Sequence, residues 1–220
     1  SKVVADDSKV REALKNMGIN IAEVDLNKSS IDGLYEVSQG VRVFYITEDG
    51  KYLTIGNIID LTTGKNLTQL SQNKIRKELY DQIPLSSMII YPAEGKTKRT
   101  IAIFTDIDCP YCRKMHLEIP ALNTAGVEVR YLAYPRSGVG RASYVKMVSA
   151  WCAENPAEAM DQLMLTGKIA EQTCKNPVRD HLKLVQKFGV NGTPNIITDQ
   201  GEMFPGYLPA KDLLKELRIN

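Results

Sequence analysis

Cys109 and Cys112 are separated by two residues within the run Ile101-Ala102-Ile103-Phe104-Thr105-Asp106-Ile107-Asp108-Cys109-Pro110-Tyr111-Cys112-Arg113-Lys114-Met115-His116. The apolar stretch Ile101 to Phe104 reads as a buried strand and the polar residues after it as a turn. Pro110 suits the first turn of a helix, where its missing N–H would be unpaired in any case. A strand that runs through a turn into a helix, with more strands and helices downstream, is an α/β order. A bare C-x-x-C says little, but in this setting it points to redox chemistry. Disulfide exchange needs a thiolate, and the unpaired N–H groups and dipole of a helix N-terminus favour negative charge on Cys109. Three residues on, Cys112 returns to the same helix face, close enough to form a disulfide or act as a resolving thiol.

The other cysteines, Cys152 and Cys174, are far from that pair and from each other. Zinc sites with four cysteines are normally built from two close pairs, so this spacing disfavours one. Four free thiols would suit a cytosolic chain but leave the even count without a reason. A redox pair plus a structural disulfide accounts for both spacings and suits an oxidising compartment. The first residues, Ser1-Lys2-Val3-Val4-Ala5-Asp6-Asp7, show no apolar leader, so the sequence reads as either cytosolic or a processed mature form, and the cysteines favour the second. A net charge of +2 gives no broad basic surface for nucleic acid, and no apolar stretch is long enough to span a bilayer. With 43% hydrophobic and 25% charged residues the chain is ordinary globular material. Nothing in it asks for a cofactor or a resident metal.

Upstream of the motif, Asp7 or Ser8 can cap a helix carrying Val10, Leu14 and Met17 at helical spacing, closed by Gly18. Val41, Val43 and Tyr45 alternate with Arg42 and Phe44, Glu48-Asp49-Gly50 predicts a hairpin turn, and Tyr52, Leu53 and Ile55 resume a strand. This is a small sheet with one helix, thin for a monomer, whose strand edges invite pairing with another chain. A mostly polar helix over 67–83, ended by Pro84, reads as a linker. The expected organisation is residues 1–64 as a dimerisation domain, 65–84 as a helical linker and 85–220 as a catalytic domain. In the last, strands fall at 88–91, 100–104 and 127–134, helices at 141–153, 156–165 and 178–188, a hairpin around Asp199-Gln200-Gly201, and a closing helix at 209–217.

Gly192-Thr193-Pro194 precedes an apolar run. A cis Thr193–Pro194 bond would expose the Thr193 backbone for pairing with an extended substrate; taken alone, an ordinary trans-proline loop is the simpler reading. His116 could tune the Cys112 thiol one turn away, or it could be a packing histidine, as could His181. Trp151 reads as core.

Together these residues resemble the thioredoxin superfamily, and within it the periplasmic thiol:disulfide isomerases of the DsbC/DsbG family. The likeness is carried by Phe104-Thr105-Asp106-Ile107-x-Cys109-x-Tyr111-Cys112, Met115-His116, Val129-Arg130-Tyr131-Leu132-Ala133-x-Pro135-Arg136, Trp151-Cys152-Ala153, Gly192-Thr193-Pro194 and Pro205-Gly206-Tyr207. It spans the chain and is strongest from residue 101 onward. The resemblance implies a thioredoxin-fold catalytic domain with a helical insertion. It also implies a small α+β, cystatin-like N-terminal domain that pairs two copies into a V-shaped homodimer around an uncharged cleft. Cys109 would be the nucleophile and Cys112 the resolving thiol. Thr193 and Pro194 would form a cis-proline loop that, with Tyr111, meets the substrate, and Cys152 and Cys174 would form the structural disulfide. The implied clients are misfolded disulfide-containing proteins, the implied partner is a DsbD-type membrane reductase, and the implied location is the periplasm after removal of a signal peptide. Chaperone activity would accompany the isomerase. One departure stands out: Pro110-Tyr111 matches DsbG, where DsbC has Gly-Tyr, while the Trp151-Cys152 pair leans to DsbC. The family thus leaves open a DsbG-like redox chaperone or thiol-protecting reductase, or a dithiol oxidant.

Overall fold

A computed structural model describes residues 7–219. The chain forms two compact units that divide within one helix, the first ending at Ile75 and the second beginning at Arg76.

In the first unit, helix α1 (Ser8–Asn16) buries Val10 and Leu14 against an antiparallel sheet of four strands, β1 (Asp25–Lys28), β2 (Leu34–Gln39), β3 (Arg42–Thr47) and β4 (Leu53–Thr54), in that order. Tyr35 lies opposite Ile46 and Val37 opposite Phe44, so these cross-strand pairs make the floor on which α1 sits. Met17, expected in the apolar stripe, is 53% exposed. The helix stops at Asn16, Gly18 turns the chain at φ +75°, and Ile19 packs on the cluster instead. Val43, Phe44, Tyr45 and Ile46 are all buried, because the second face of β3 is covered as well. There the Tyr45 hydroxyl is 2.6 Å from Thr68 Oγ1 at the start of helix α2 (Leu67–Asp81), and Thr68 also accepts from the Ile58 N–H. The β3–β4 turn falls at the expected residues. Gly50 has φ +72°, and a Cβ there would come within 2.6 Å of the Lys9 carbonyl oxygen, so only glycine lets the turn approach α1.

The second unit is built on a five-stranded mixed sheet in the order β5 (Ile89–Tyr91), β7 (Val127–Ala133), β6 (Arg99–Thr105), β8 (Asn195–Thr198), β9 (Met203–Pro205). Only β6 and β7 run parallel; the other pairings are antiparallel. Both faces are covered, which is why β6 is buried from Ile101 through Thr105. On one face Ile101, Ile103, Val129, Tyr131 and Ile196 pack with Cys112 and Met115 of α3 (Pro110–His116), Leu122 of α4 (Ile119–Thr124), Met147 of α5 (Ala142–Trp151), Leu163 of α6 (Pro156–Thr166) and Leu213 of α8 (Ala210–Glu216). On the other, Ala102, Phe104, Leu132 and Ile197 pack with Tyr80 near the end of α2 and with Val185 and Phe188 of α7 (Val178–Phe188). The helix expected at Cys109 is short: α3 closes after His116, and α4 starts afresh with Pro120 in its first turn, where no N–H is required. Glu118 between them accepts from the Tyr207 hydroxyl at 2.6 Å and from the Ala210 N–H at 3.1 Å, tying this junction to the start of α8.

Candidate active site

The central strand β6 delivers the dithiol. After Thr105 the chain turns at Asp106, whose side chain is buried and carries the turn: one oxygen accepts from the Asp108 N–H at 3.1 Å, the other from the Arg136 N–H at 3.1 Å and the Arg136 Nε at 3.0 Å. Cys109 is the N-cap of α3 and Pro110 opens the helix, as the sequence indicates. The Arg113 Nε donates back to the Ile107 carbonyl at 2.9 Å, and Lys114 stands 4.4 Å from the centre of the Tyr207 ring. Both cations therefore brace the helix rather than simply meeting solvent.

The two thiols differ in setting. The Cys109 Sγ–H donates to the Thr193 carbonyl at 3.3 Å, and Thr193–Pro194 is a cis peptide bond. Burial pushes the Cys109 thiol up, but the Thr193 hydroxyl, the Cys112 and Tyr111 N–H groups and the Cys112 thiol outweigh it, and the net displacement is downward. The Thr193 hydroxyl is buried, lowers both thiols and makes no hydrogen bond to another described residue, so it is available to donate to a thiolate. Cys112 is fully buried, and burial pushes its thiol up to about 12 against the Asp106 N–H that it accepts at 3.4 Å. At neutral pH the pair thus offers one ionisable nucleophile and one thiol held in reserve.

Of the other residues singled out in the sequence, Tyr111 is 62% exposed on the first turn of α3. Cys152 and Cys174 are joined, with Cα atoms 5.7 Å apart, linking the end of α5 to the segment before α7. Trp151 is half-buried and its Nε1 donates to the Ser87 carbonyl at 2.9 Å. His181 is buried, and its Nδ1 accepts from the Ala133 N–H at 3.1 Å. His116 is buried between Tyr131 and Asp161. The Asp106–Arg136 clamp and the partners of His116 have no local signal in the sequence, because each joins residues on separate elements. Among the described residues no group of His, Cys, Asp or Glu is placed to hold a metal ion, and no helix is long and apolar enough to cross a membrane.

A dithiol at a helix N-terminus, leaving the central strand of a mixed sheet and facing a cis-proline loop, defines a thiol:disulfide oxidoreductase of the thioredoxin fold. Residues 86–219 match the thioredoxin-like domain family, and residues 1–69 match the disulfide bond isomerase protein N-terminal domain. The thiol:disulfide interchange protein DsbC of Dickeya dadantii is 39% identical across 97% of this chain and 87% of its own length. The DsbC of Escherichia coli K12 is 34% identical across 95% and 86%. Among solved structures, a disulfide interchange protein from Neisseria gonorrhoeae superposes with a TM-score of 0.55 at 30% identity, covering 62% of this chain and 96% of that one. The chain belongs to the DsbC family of thiol:disulfide interchange proteins.

Proposed function

We propose that this protein is a periplasmic disulfide isomerase and reductase acting through Cys109-Pro110-Tyr111-Cys112. The observation that carries this reading is the division of labour between the thiols: Cys109 sits at the start of α3 with its value lowered, while Cys112 is buried and remains protonated. The Cys109 thiolate attacks a client disulfide; one client sulfur bonds to Cys109 and the other leaves as a thiolate. In isomerisation a client thiolate attacks a further disulfide, and a client thiolate finally displaces Cys109, which leaves as the thiolate it began as. No net electrons move. In reduction Cys112 loses its proton and attacks the Cys109 sulfur, the Cys109–Cys112 disulfide forms, and the client departs with two more electrons. That branch requires an external dithiol to restore the enzyme, and a DsbD-type membrane reductase fills this role in the proposal. In this reading the Thr193 backbone beside Cys109 and the exposed Tyr111 ring meet an extended client segment, with Pro194 shaping the loop. Cys152–Cys174 is structural in this reading. It suits an oxidising compartment such as the periplasm. The first unit pairs two copies, and the dimer holds unfolded clients as a chaperone.

Refolding of scrambled ribonuclease tests the chemistry. Wild type is expected to restore activity, Cys109→Ala to abolish the effect, and Cys112→Ala to accumulate client disulfides on Cys109. Refolding by Cys109→Ala at the wild-type rate overturns the reading. A second reading, a DsbG-like thiol-protecting reductase or a dithiol oxidant, is favoured by one observation, the Pro110-Tyr111 dipeptide. A glutathione redox titration separates the oxidant from either reductase, because an oxidant has a less stable Cys109–Cys112 disulfide.

A further inference from the structure

One helical turn beyond Cys112, on the same face of α3, His116 enters a polar cluster that none of the steps above uses. Its Nδ1 is 3.1 Å from the Tyr131 hydroxyl on β7, and its Nε2 is 3.2 Å from Asp161 Oδ1 on α6. The Tyr91 hydroxyl on β5 donates to the same Asp161 oxygen at 2.8 Å. Tyr131 is fully buried and burial holds its hydroxyl well above the ordinary phenol range, so it keeps its proton and donates to Nδ1. Nε2 then carries the imidazole proton and donates to Asp161. The imidazole is buried, yet the Asp161 side chain is 47% exposed at the edge of a cavity of about 370 Å³ that His116 also lines. A buried base one turn beneath the resolving thiol is thus connected to solvent through its own carboxylate.

Among the described residues the charged and titratable groups around this ring are few. They are Asp161 from α6, Tyr131 from β7, Tyr91 from β5, Glu94 from the segment after β5 across the cavity, and Cys112 on α3 itself. From α4 the cavity receives Ile119, Pro120 and Asn123, none of them charged. Burial lowers the imidazole from its ordinary value and Asp161 raises it, so burial wins and the ring is neutral at pH 7.

We infer that His116, held between Tyr131 and Asp161, is a positioning residue that sets the charge beneath Cys112 and so divides a Cys109–client disulfide between rearrangement and release. While the ring is neutral, Cys112 stays a thiol and the client remains attached long enough for its own thiols to attack. Once the ring is protonated, a positive charge stands one helical turn from Cys112 and favours its thiolate. That thiolate attacks the Cys109 sulfur, the Cys109–Cys112 bond forms, the Cys109–client bond breaks, and the client sulfur leaves as a thiolate that takes up a proton from water. The inference rests on the dithiol reading above.

The test uses the full-length reduced protein and oxidised glutathione. Attack by Cys109 gives a Cys109–glutathione disulfide and one glutathione thiolate, and Cys112 then expels the second glutathione. Both steps are timed separately by acid quench and mass spectrometry across pH 4–9. If only Cys112 titrates, the logarithm of the release rate climbs with unit slope. A protonated His116 that helps Cys112 ionise interrupts that climb with a shelf on the acid side of about pH 6.5, where the imidazole gives up its proton. Wild type is expected to show the shelf, and below it to release glutathione at least about 10-fold faster than His116→Gln. The His116→Gln line should run unbroken. Asp161→Asn, a change at a half-exposed site, should move the shelf to lower pH, and it keeps the inference testable if His116→Gln fails to fold. One unbroken line shared by wild type and both variants overturns the role of His116 while leaving the dithiol reading intact. Failure of wild type to form the Cys109–glutathione disulfide at any pH overturns both.

Discussion

Among the groups that lower the Cys109 thiol, the Thr193 hydroxyl comes first. It is buried beside both thiols and makes no hydrogen bond to another described residue, and a hydrogen bond to a charged group contributes about 1.5–3 kcal/mol. Thr193→Val keeps the shape and removes the donor. The Cys109 thiolate, followed by its ultraviolet absorbance, should then appear about one pH unit higher than in wild type. Superimposable titrations would show that the backbone N–H groups and the Cys112 thiol set the value without Thr193. The dithiol itself was legible from a few adjacent residues, because a thiolate at a helix N-terminus with a partner one turn on is a local demand. Its surroundings were not: Arg136 is 30 residues from the Asp106 it holds, and nothing near His116 announces Asp161.

Between elements, two ties carry measurable weight. His181 joins α7 to the end of β7 by accepting the Ala133 N–H, so protonation would remove an acceptor and place a charge in an apolar layer. Burial accordingly lowers the imidazole to about 4. The unfolded chain takes up this proton near pH 6.5 and the folded chain only near 4, so stability is complete above about 6.5 and falls as pH drops through that window, by about 3 kcal/mol in all. Urea unfolding at pH 7 and at pH 4.5 should show wild type losing more than His181→Asn, whose amide oxygen can still accept from Ala133. Equal losses would place the acid sensitivity elsewhere. The second tie is Cys152–Cys174, which closes a loop with a sequence separation of 22. In the chain-entropy model such a loop contributes about 3 kcal/mol, and replacing both cysteines by alanine should cost that much in denaturant unfolding with Cys109 and Cys112 kept reduced. Most strands and helices of the second unit lie within a residue or two of where periodicity puts them, since their faces are set by sheet burial. The break between α3 and α4 has one signal in the sequence, Pro120, set in an apolar spacing that continues through Ile119 and Leu122.

At the scale of the whole molecule, the apolar residues that find no cover within the first unit matter most. Tyr52, Leu53, Ile55, Ile59 and Leu61 are exposed in one stretch beside the short edge strand β4, and Leu61 is 92% exposed. The sequence showed the strand pattern but not this exposure, because the same alternation would serve a face covered from within the chain. A single copy leaves these side chains in water, whereas a symmetric pair meeting through this stretch, as the proposal has it, would bury them in both copies. Fully burying a leucine side chain is worth about 1.5–3 kcal/mol, so an aspartate at position 61 should raise the dissociation constant of a homodimer by about 100-fold or more. Light scattering behind size exclusion is expected to give the dimer mass for wild type and the monomer mass for Leu61→Asp at low micromolar concentration. Position 61 lies in the other unit from Cys109, so the monomer should still reduce oxidised glutathione at the wild-type rate. What it should lose is the refolding of scrambled ribonuclease, which requires a client to be held between successive attacks. A monomeric wild type would remove the dimer from the proposal, and a Leu61→Asp monomer that refolds ribonuclease normally would show that one copy suffices to hold the client.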